Sequence, residues 1–212
     1  TISYRELNLW ADSLAPAISG RKKNCIVLET RSRVPDIILL WSVWRAGKTA
    51  VLINTKLPET VAARQVRLLD SARLKNAATV LFTSGSSAAP KAVVHTHDNH
   101  YYNALGSQAN IPLKLNDRWL LSLPLYHVSG LSIVYRCCLS GATIVLPSSD
   151  RNLIQNIQDH NVTHVSLVST QLYRLLQDKK NIPVLRRLKA ILLGGGPIPP
   201  DSTLVFELDE AQ

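Results

Sequence analysis

The stretch that decides the fold runs Ala78-Thr79-Val80-Leu81-Phe82-Thr83-Ser84-Gly85-Ser86-Ser87-Ala88-Ala89-Pro90-Lys91-Ala92-Val93-Val94. Two short apolar runs, 78–82 and 92–94, flank a segment of small hydroxylated residues that holds one glycine and ends in a lysine. Apolar runs of this length, bounded by turn residues, read as strands. The segment between them is then a loop that offers unhindered backbone N–H groups, several hydroxyl donors and a cation. Phosphate is the natural guest of such a loop. Serine and glycine are equally the residues of an ordinary polar hairpin turn, so at this point both readings stand.

On either side of this stretch, strands and helices alternate. Ser3-Tyr4-Arg5-Glu6 is a capping box that opens a helix with Leu7, Trp10, Leu14 and Ile18 on one face. A strand follows at 25–28, then a helix from Pro35 to Arg45 that stops at Gly47, a strand at 49–53 and a helix over 57–69. Residues 70–76 are too few and too charged to carry an element. Beyond the loop, helices are expected at 97–109, from residue 130 to about 140, at 153–160 and at 171–177. Strands are expected at 119–123, 142–146, 163–168 and 189–193. The strands are apolar on both faces, which predicts an α/β fold of mainly parallel sheets covered by helices. Ligands of such folds sit at the carboxyl ends of strands. The serine-rich loop, the Tyr126-His127 loop, Ser166 and Gly194-Gly195-Gly196-Pro197 all fall at or just beyond those ends. One crevice is expected to gather them.

Composition narrows the function classes. The chain has 212 residues, 46% of them hydrophobic, which suits one large globular domain or two small ones. The net charge of +9 favours anionic partners, but the 24 lysines and arginines are scattered. The densest cluster, Arg186-Arg187-Leu188-Lys189, has no interleaved aromatics. Phosphorylated small molecules are therefore expected, and nucleic acid is not. No apolar run reaches the ~18 residues of a membrane span, and no signal-peptide pattern opens the sequence. Cys25, Cys137 and Cys138 cannot build a disulfide framework, so a reducing, cytoplasmic setting is expected. There is no methionine, where average usage predicts about four. That is the composition expected of a piece of a longer chain, or of one in which further residues belong near 70–78.

Known site patterns are mostly absent. The serine-rich loop lacks the spacing of a Walker A sequence, and no G-x-G-x-x-G follows a strand. His95, His97 and His100 have metal-like spacing, but no suitable cysteine or carboxylate accompanies them, and no protein metal site is expected. Ser122, Ser129 and Ser132 form no Gly-x-Ser-x-Gly elbow, which speaks against a serine hydrolase. His127 draws notice as a titratable group in a predicted site loop. Arg136 lies inside an apolar helix, 131–139, where a guanidinium must capture an anion or reach water along its own stem.

The segment Thr83 to Lys91 resembles the phosphate loop of the adenylate-forming superfamily of acyl-CoA synthetases, luciferases and nonribosomal adenylation domains. Ala88 stands where that loop usually has glycine, and Ala92 where glycine is common. Within the superfamily the likeness is greatest to the o-succinylbenzoate–CoA ligases of menaquinone biosynthesis. Residues 119–130, 166–176 and 188–199 carry it, so it covers about Ala78 to Pro200. The resemblance implies a two-step ligase that takes ATP with Mg2+, a small carboxylic acid and CoA, on the large N-terminal domain of an adenylate-forming enzyme. It implies that Thr83, Ser84, Gly85, Ser86, Ser87 and Lys91 hold the β- and γ-phosphates. It also implies that Gly194, Gly195, Gly196 and Pro197 line the adenine and acyl pocket, that His127 borders the acyl site, and that Arg136 and Ser166 bind the acid's carboxylates. The aromatic-Gly-x-Thr-Glu segment, the ribose-binding aspartate and the C-terminal domain of that family do not occur in the 212 residues. Oligomeric state is left open.

Overall fold

Apolar strands feeding helices build two sheets. The computed structural model describes residues 1–69, 74, 76–83 and 91–195. The first sheet contains β1 (Cys25–Thr30), β2 (Thr49–Asn54), β3 (Ala77–Thr83) and β4 (Lys91–Thr96), in that order. β1, β2 and β3 run parallel, and β4 returns antiparallel to β3 with Thr83 opposite Lys91. The second sheet contains β5 (Arg118–Leu120), β6 (Thr143–Val145), β7 (His164–Val168) and β8 (Ala190–Gly194) in the order β6-β5-β7-β8, all parallel.

Local chemistry explains where the helices start and stop. Ser3 Oγ accepts from the Glu6 amide at 3.2 Å while Glu6 accepts from the Ser3 amide at 2.7 Å, and this reciprocal cap opens α1 (Tyr4–Ser19). Asp36 in the first turn of α2 (Val34–Arg45) accepts from the amides of Arg31 and Arg33, at 2.8 and 2.9 Å. α3 (Glu59–Leu69) covers one face of the first sheet, with Val66 and Ala62 against Val51, Ile53 and Val80. α4 (His97–Asn110) starts on a Thr96 cap, with Thr96 Oγ1 accepting from the Asn99 amide. α5 (Val128–Ser140) ends at Gly141, whose φ of +72° is the left-handed stop that glycine provides. α6 (Leu153–Asp159), α7 (Ser169–Leu176) and the short α8 (Ile182–Leu185) attend the second sheet.

One core serves both sheets. Leu28, Leu52 and Leu81 of the first sheet share a buried cluster with Trp119, Leu121 and Leu125 from β5 and the loop after it. Leu40, Val43, Leu131 and Val134 of α2 and α5 complete that cluster. On the opposite face of the second sheet, Leu120, Val165 and Leu167 pack with Ile157, Leu172 and Leu185. β5 is shorter than the expected 119–123, because Pro124 lies just beyond and only the Leu121 amide still bonds across, to Val145 at 2.8 Å. β7 also departs from the all-apolar pattern. Val165 and Leu167 face one core, while His164 and Ser166, both fully buried, alternate onto the other face.

Candidate active site

The residues expected to form the site come from both sheets. Lys91 and Thr83, both exposed, lie side by side where β4 begins and β3 ends. Because β4 is antiparallel, its first residue sits at the carboxyl end of the parallel strands β1 to β3, the end at which such sheets take ligands. Ser84, Gly85, Ser86 and Ser87 lie outside the described residues, as do Gly196 and Pro197.

At the carboxyl end of β8, Gly194 pairs with Val168. Gly195 has φ +85°, and a Cβ there would come within 3.1 Å of the Val168 side chain. Both facts favour glycine, and they leave bare backbone beside the end of β7. His127 is the residue before α5. It is exposed, its ring lies 4.7 Å from that of Tyr126, and partial burial pulls its pKa below the usual histidine value. The loop carrying it is fixed by Gly130, where a Cβ would stand 2.1 Å from the Pro124 carbonyl oxygen.

A further polar group lies against the shared core. Arg136, on α5, is half-buried, and its Nε and Nη1 are enclosed without a hydrogen-bond partner. Its guanidinium carbon sits 5.3 Å from the centre of the Trp119 ring. Trp119 is itself fully buried and donates its indole N–H to Ser166 Oγ at 3.1 Å. Ser122 Oγ in turn donates to the Ser166 carbonyl. Burial lowers the pKa of Arg136, yet a guanidinium keeps its charge. A buried cation with two idle donors is costly unless an anion satisfies it, and a carboxylate matches its planar fork.

The structure therefore brings together Arg136 and Ser166 around Trp119. Sequence reasoning missed Trp119, read only as a strand residue, and weighed Ser122 only as a hydrolase nucleophile, because the contacts of both with Ser166 are made across paired strands far apart in the chain. The three histidines are an aromatic stack instead of a ligand set. His100 stacks on His95 and on Tyr135, with ring centres 5.2 and 4.6 Å apart, while His97 hydrogen-bonds the Tyr135 hydroxyl at 3.1 Å. Among the described residues no group of three histidines, cysteines or carboxylates has the geometry to hold a metal ion, and no helix is long and apolar enough to cross a membrane. A cavity of 540 Å³ lies along edge strand β6 between α1 and α2, and none of the expected site residues lines it.

Two sheets of this topology, with a cation at the carboxyl end of one and bare backbone at that of the other, define an α/β domain equipped to take an anionic ligand at its strand ends. Residues 69–207 match the AMP-binding enzyme family, and the chain belongs to it. The 2-succinylbenzoate–CoA ligase of Bacillus licheniformis is 38% identical over 157 residues, covering 73% of this chain and 32% of the relative. That of Bacillus subtilis is 38% identical over 244 positions, covering 94% of this chain and 50% of the relative. Among solved structures, the O-succinylbenzoate coenzyme A synthetase of Bacillus subtilis in complex with AMP superposes with a TM-score of 0.79 at 28% identity. It is matched over 97% of this chain and 64% of that one. A structure of the same enzyme with ATP and magnesium ion matches with a TM-score of 0.74 at 26% identity, over 91% of this chain and 63% of that one. The chain spans about a third to a half of the length of these curated relatives.

Proposed function

We propose that the full-length protein is an ATP-dependent acid–thiol ligase that adenylates o-succinylbenzoate and passes the acyl group to CoA. The observation that carries this reading is Arg136, whose guanidinium has two enclosed, unpaired nitrogens and lies against the Trp119 ring that also holds Ser166. A dicarboxylic acid has one carboxylate to react and a second to anchor. Arg136 and Ser166 hold the second and present the first toward the carboxyl ends of the strands. His127 borders the acid.

Little acid–base chemistry is needed, so the protein's contribution is positioning and charge neutralisation. The free carboxylate oxygen attacks the α-phosphorus, the bond to pyrophosphate breaks, and an acyl-adenylate forms. The CoA thiol then gives up its proton to solvent, its sulfur attacks the acyl carbon, and AMP leaves with the bonding pair. Thr83, the hydroxyls and glycine of residues 84–87, and Lys91 hold the β- and γ-phosphates while charge moves onto pyrophosphate. Residues 194–197 present backbone to adenine and the acyl group, which agrees with the strain and crowding a side chain would meet at Gly195. Magnesium, brought with ATP, supplies further charge neutralisation at the phosphates.

The test is ATP–pyrophosphate exchange by the full-length protein, screened over several acids. Exchange dependent on o-succinylbenzoate is expected. Arg136→Ala should raise the concentration of that acid required by about tenfold or more, the worth of a charge-assisted hydrogen bond, and leave the KM for ATP unchanged. Exchange only with other acids would instead make this a ligase of different specificity. A second reading, a nucleotide-binding chain without catalysis, is favoured by one observation. The alignment with the Bacillus subtilis relative runs over 244 positions, 32 more than this chain has residues, so that relative carries internal residues without a counterpart here. Exchange with no acid at all would establish that second reading.

A further inference from the structure

We infer that Trp119 is a positioning residue that sets the acid specificity of the site by holding Arg136 and Ser166 in one fixed arrangement; this rests on the reading of Arg136 as the anchor for a carboxylate. Arg136 has no carboxylate partner among the described residues, and its Nε and Nη1 make no hydrogen bond. What orients its guanidinium is the indole of Trp119, 5.3 Å away at the ring centre. An aromatic face attracts a cation without consuming its N–H donors. A carboxylate in that position would have occupied the fork and closed the site to an incoming acid. The indole therefore stabilises the buried charge and leaves its donors free.

The same ring fixes the second anchor. Its N–H donates to Ser166 Oγ at 3.1 Å, so that hydroxyl is turned with its oxygen toward Trp119 and its proton available to an acceptor elsewhere. Ser122 holds the Ser166 backbone through its carbonyl. Trp119 also stacks on His164, centres 5.3 Å apart. Burial lowers the pKa of His164, so near neutral pH that ring is uncharged and does not repel Arg136. One buried side chain thus sets both the direction of the cation and the rotamer of the hydroxyl, although it belongs to a different strand or helix from each. An acid with a second carboxylate gains from this arrangement, whereas an aromatic acid of the same size without that group gains nothing.

The test compares a dicarboxylic and a matched monocarboxylic aromatic acid in the full-length protein. Trp119→Phe keeps a weaker aromatic face and removes the indole N–H. It should raise the KM for o-succinylbenzoate about fivefold while the KM for the monocarboxylate, the KM for ATP and kcat each stay within about twofold. In an Arg136→Ala background the same change should act only through Ser166 and shift the KM for the dicarboxylate by about twofold or less. Fluorotryptophans incorporated in place of the protein's tryptophans give a second measure that leaves the core's shape intact, because fluorination weakens the ring's attraction for a cation. The KM for the dicarboxylate should climb with the number of fluorines, and only when Arg136 is present. Equal shifts for both acids, or a fluorine response that persists without Arg136, would overturn the role of Trp119 alone. An Arg136→Ala variant with unchanged dependence on the dicarboxylate would remove the underlying reading as well.

Discussion

Lys91 and Arg136 are both cations of the candidate site, and their surroundings give them different tasks. Lys91 is exposed at the head of β4, so it adds little to stability and is free to meet a mobile polyanion. Lys91→Ala should lower ATP–pyrophosphate exchange at subsaturating ATP by roughly tenfold to a hundredfold, the value of one hydrogen bond between charged partners. Its urea midpoint should stay where it was. A shifted midpoint with intact exchange would assign the lysine to the fold instead. Arg136 was legible in the sequence as a charge inside an apolar helix, and Ser166 as a residue near a strand end. Their shared partner was not legible. Trp119 lies 47 positions from Ser166 in the chain, and only the pairing of β5 with β7 makes them neighbours.

At the scale of elements, the Tyr126-His127 loop is held by a close backbone approach. Gly130, in the first turn of α5, has no room for a Cβ between the carbonyls of Leu123 and Pro124, 2.5 and 2.1 Å away. Gly130→Ala should push α5 from the loop and destabilise the protein by about 2 kcal/mol or more, measured as a lowered urea midpoint, with weaker acid binding alongside. α4 makes a different prediction. His100 is buried with its Nε2 2.7 Å from Thr79 Oγ1, and burial, then the nearby His95 and His97, pull its pKa down to about 4. His95 and His97 are shifted the same way, chiefly by burial. Below the unfolded value of about 6.5 the unfolded chain takes protons that the folded chain refuses. Stability should then be full above that pH and fall as the pH drops toward 4. Melting temperatures between pH 7 and 4.5 check this, and His100→Gln should flatten the slope. The order of strands and helices followed from periodicity, caps and glycine stops, because those are local effects. Which strands share a sheet, and in what order, was not legible, since strand pairing is decided by contacts far apart in sequence. The antiparallel return of β4, by contrast, follows from the short loop the sequence already displayed.

For the whole molecule the decisive fact is that one core joins the two sheets. The candidate site draws Lys91 and Thr83 from the first sheet and Gly194, Gly195, His127, Arg136 and Ser166 from the second sheet and its attached elements. Its geometry survives only if the sheets keep their relation. That relation rests on Leu28, Leu52 and Leu81 meeting Trp119, Leu121 and Leu125, and on the Leu125 amide donating to Ser32 Oγ at 3.2 Å, across 93 residues of chain. Shared burial of this kind makes local loss costly everywhere, so the described part of the chain should unfold as a single cooperative unit. Leu125→Ala, at a site with no exposure, should cost about 2–5 kcal/mol. The loss should appear equally at both sheets. Exchange-protected amides of β2 and of β7, followed by hydrogen exchange during urea titration, should lose protection at one midpoint, and the substitution should move both by the same amount. Two separate midpoints, with only β7 moved by Leu125→Ala, would mean that each sheet is stable by itself. The site would then depend on a docked interface instead of a continuous core, and acid affinity should fall before either sheet unfolds.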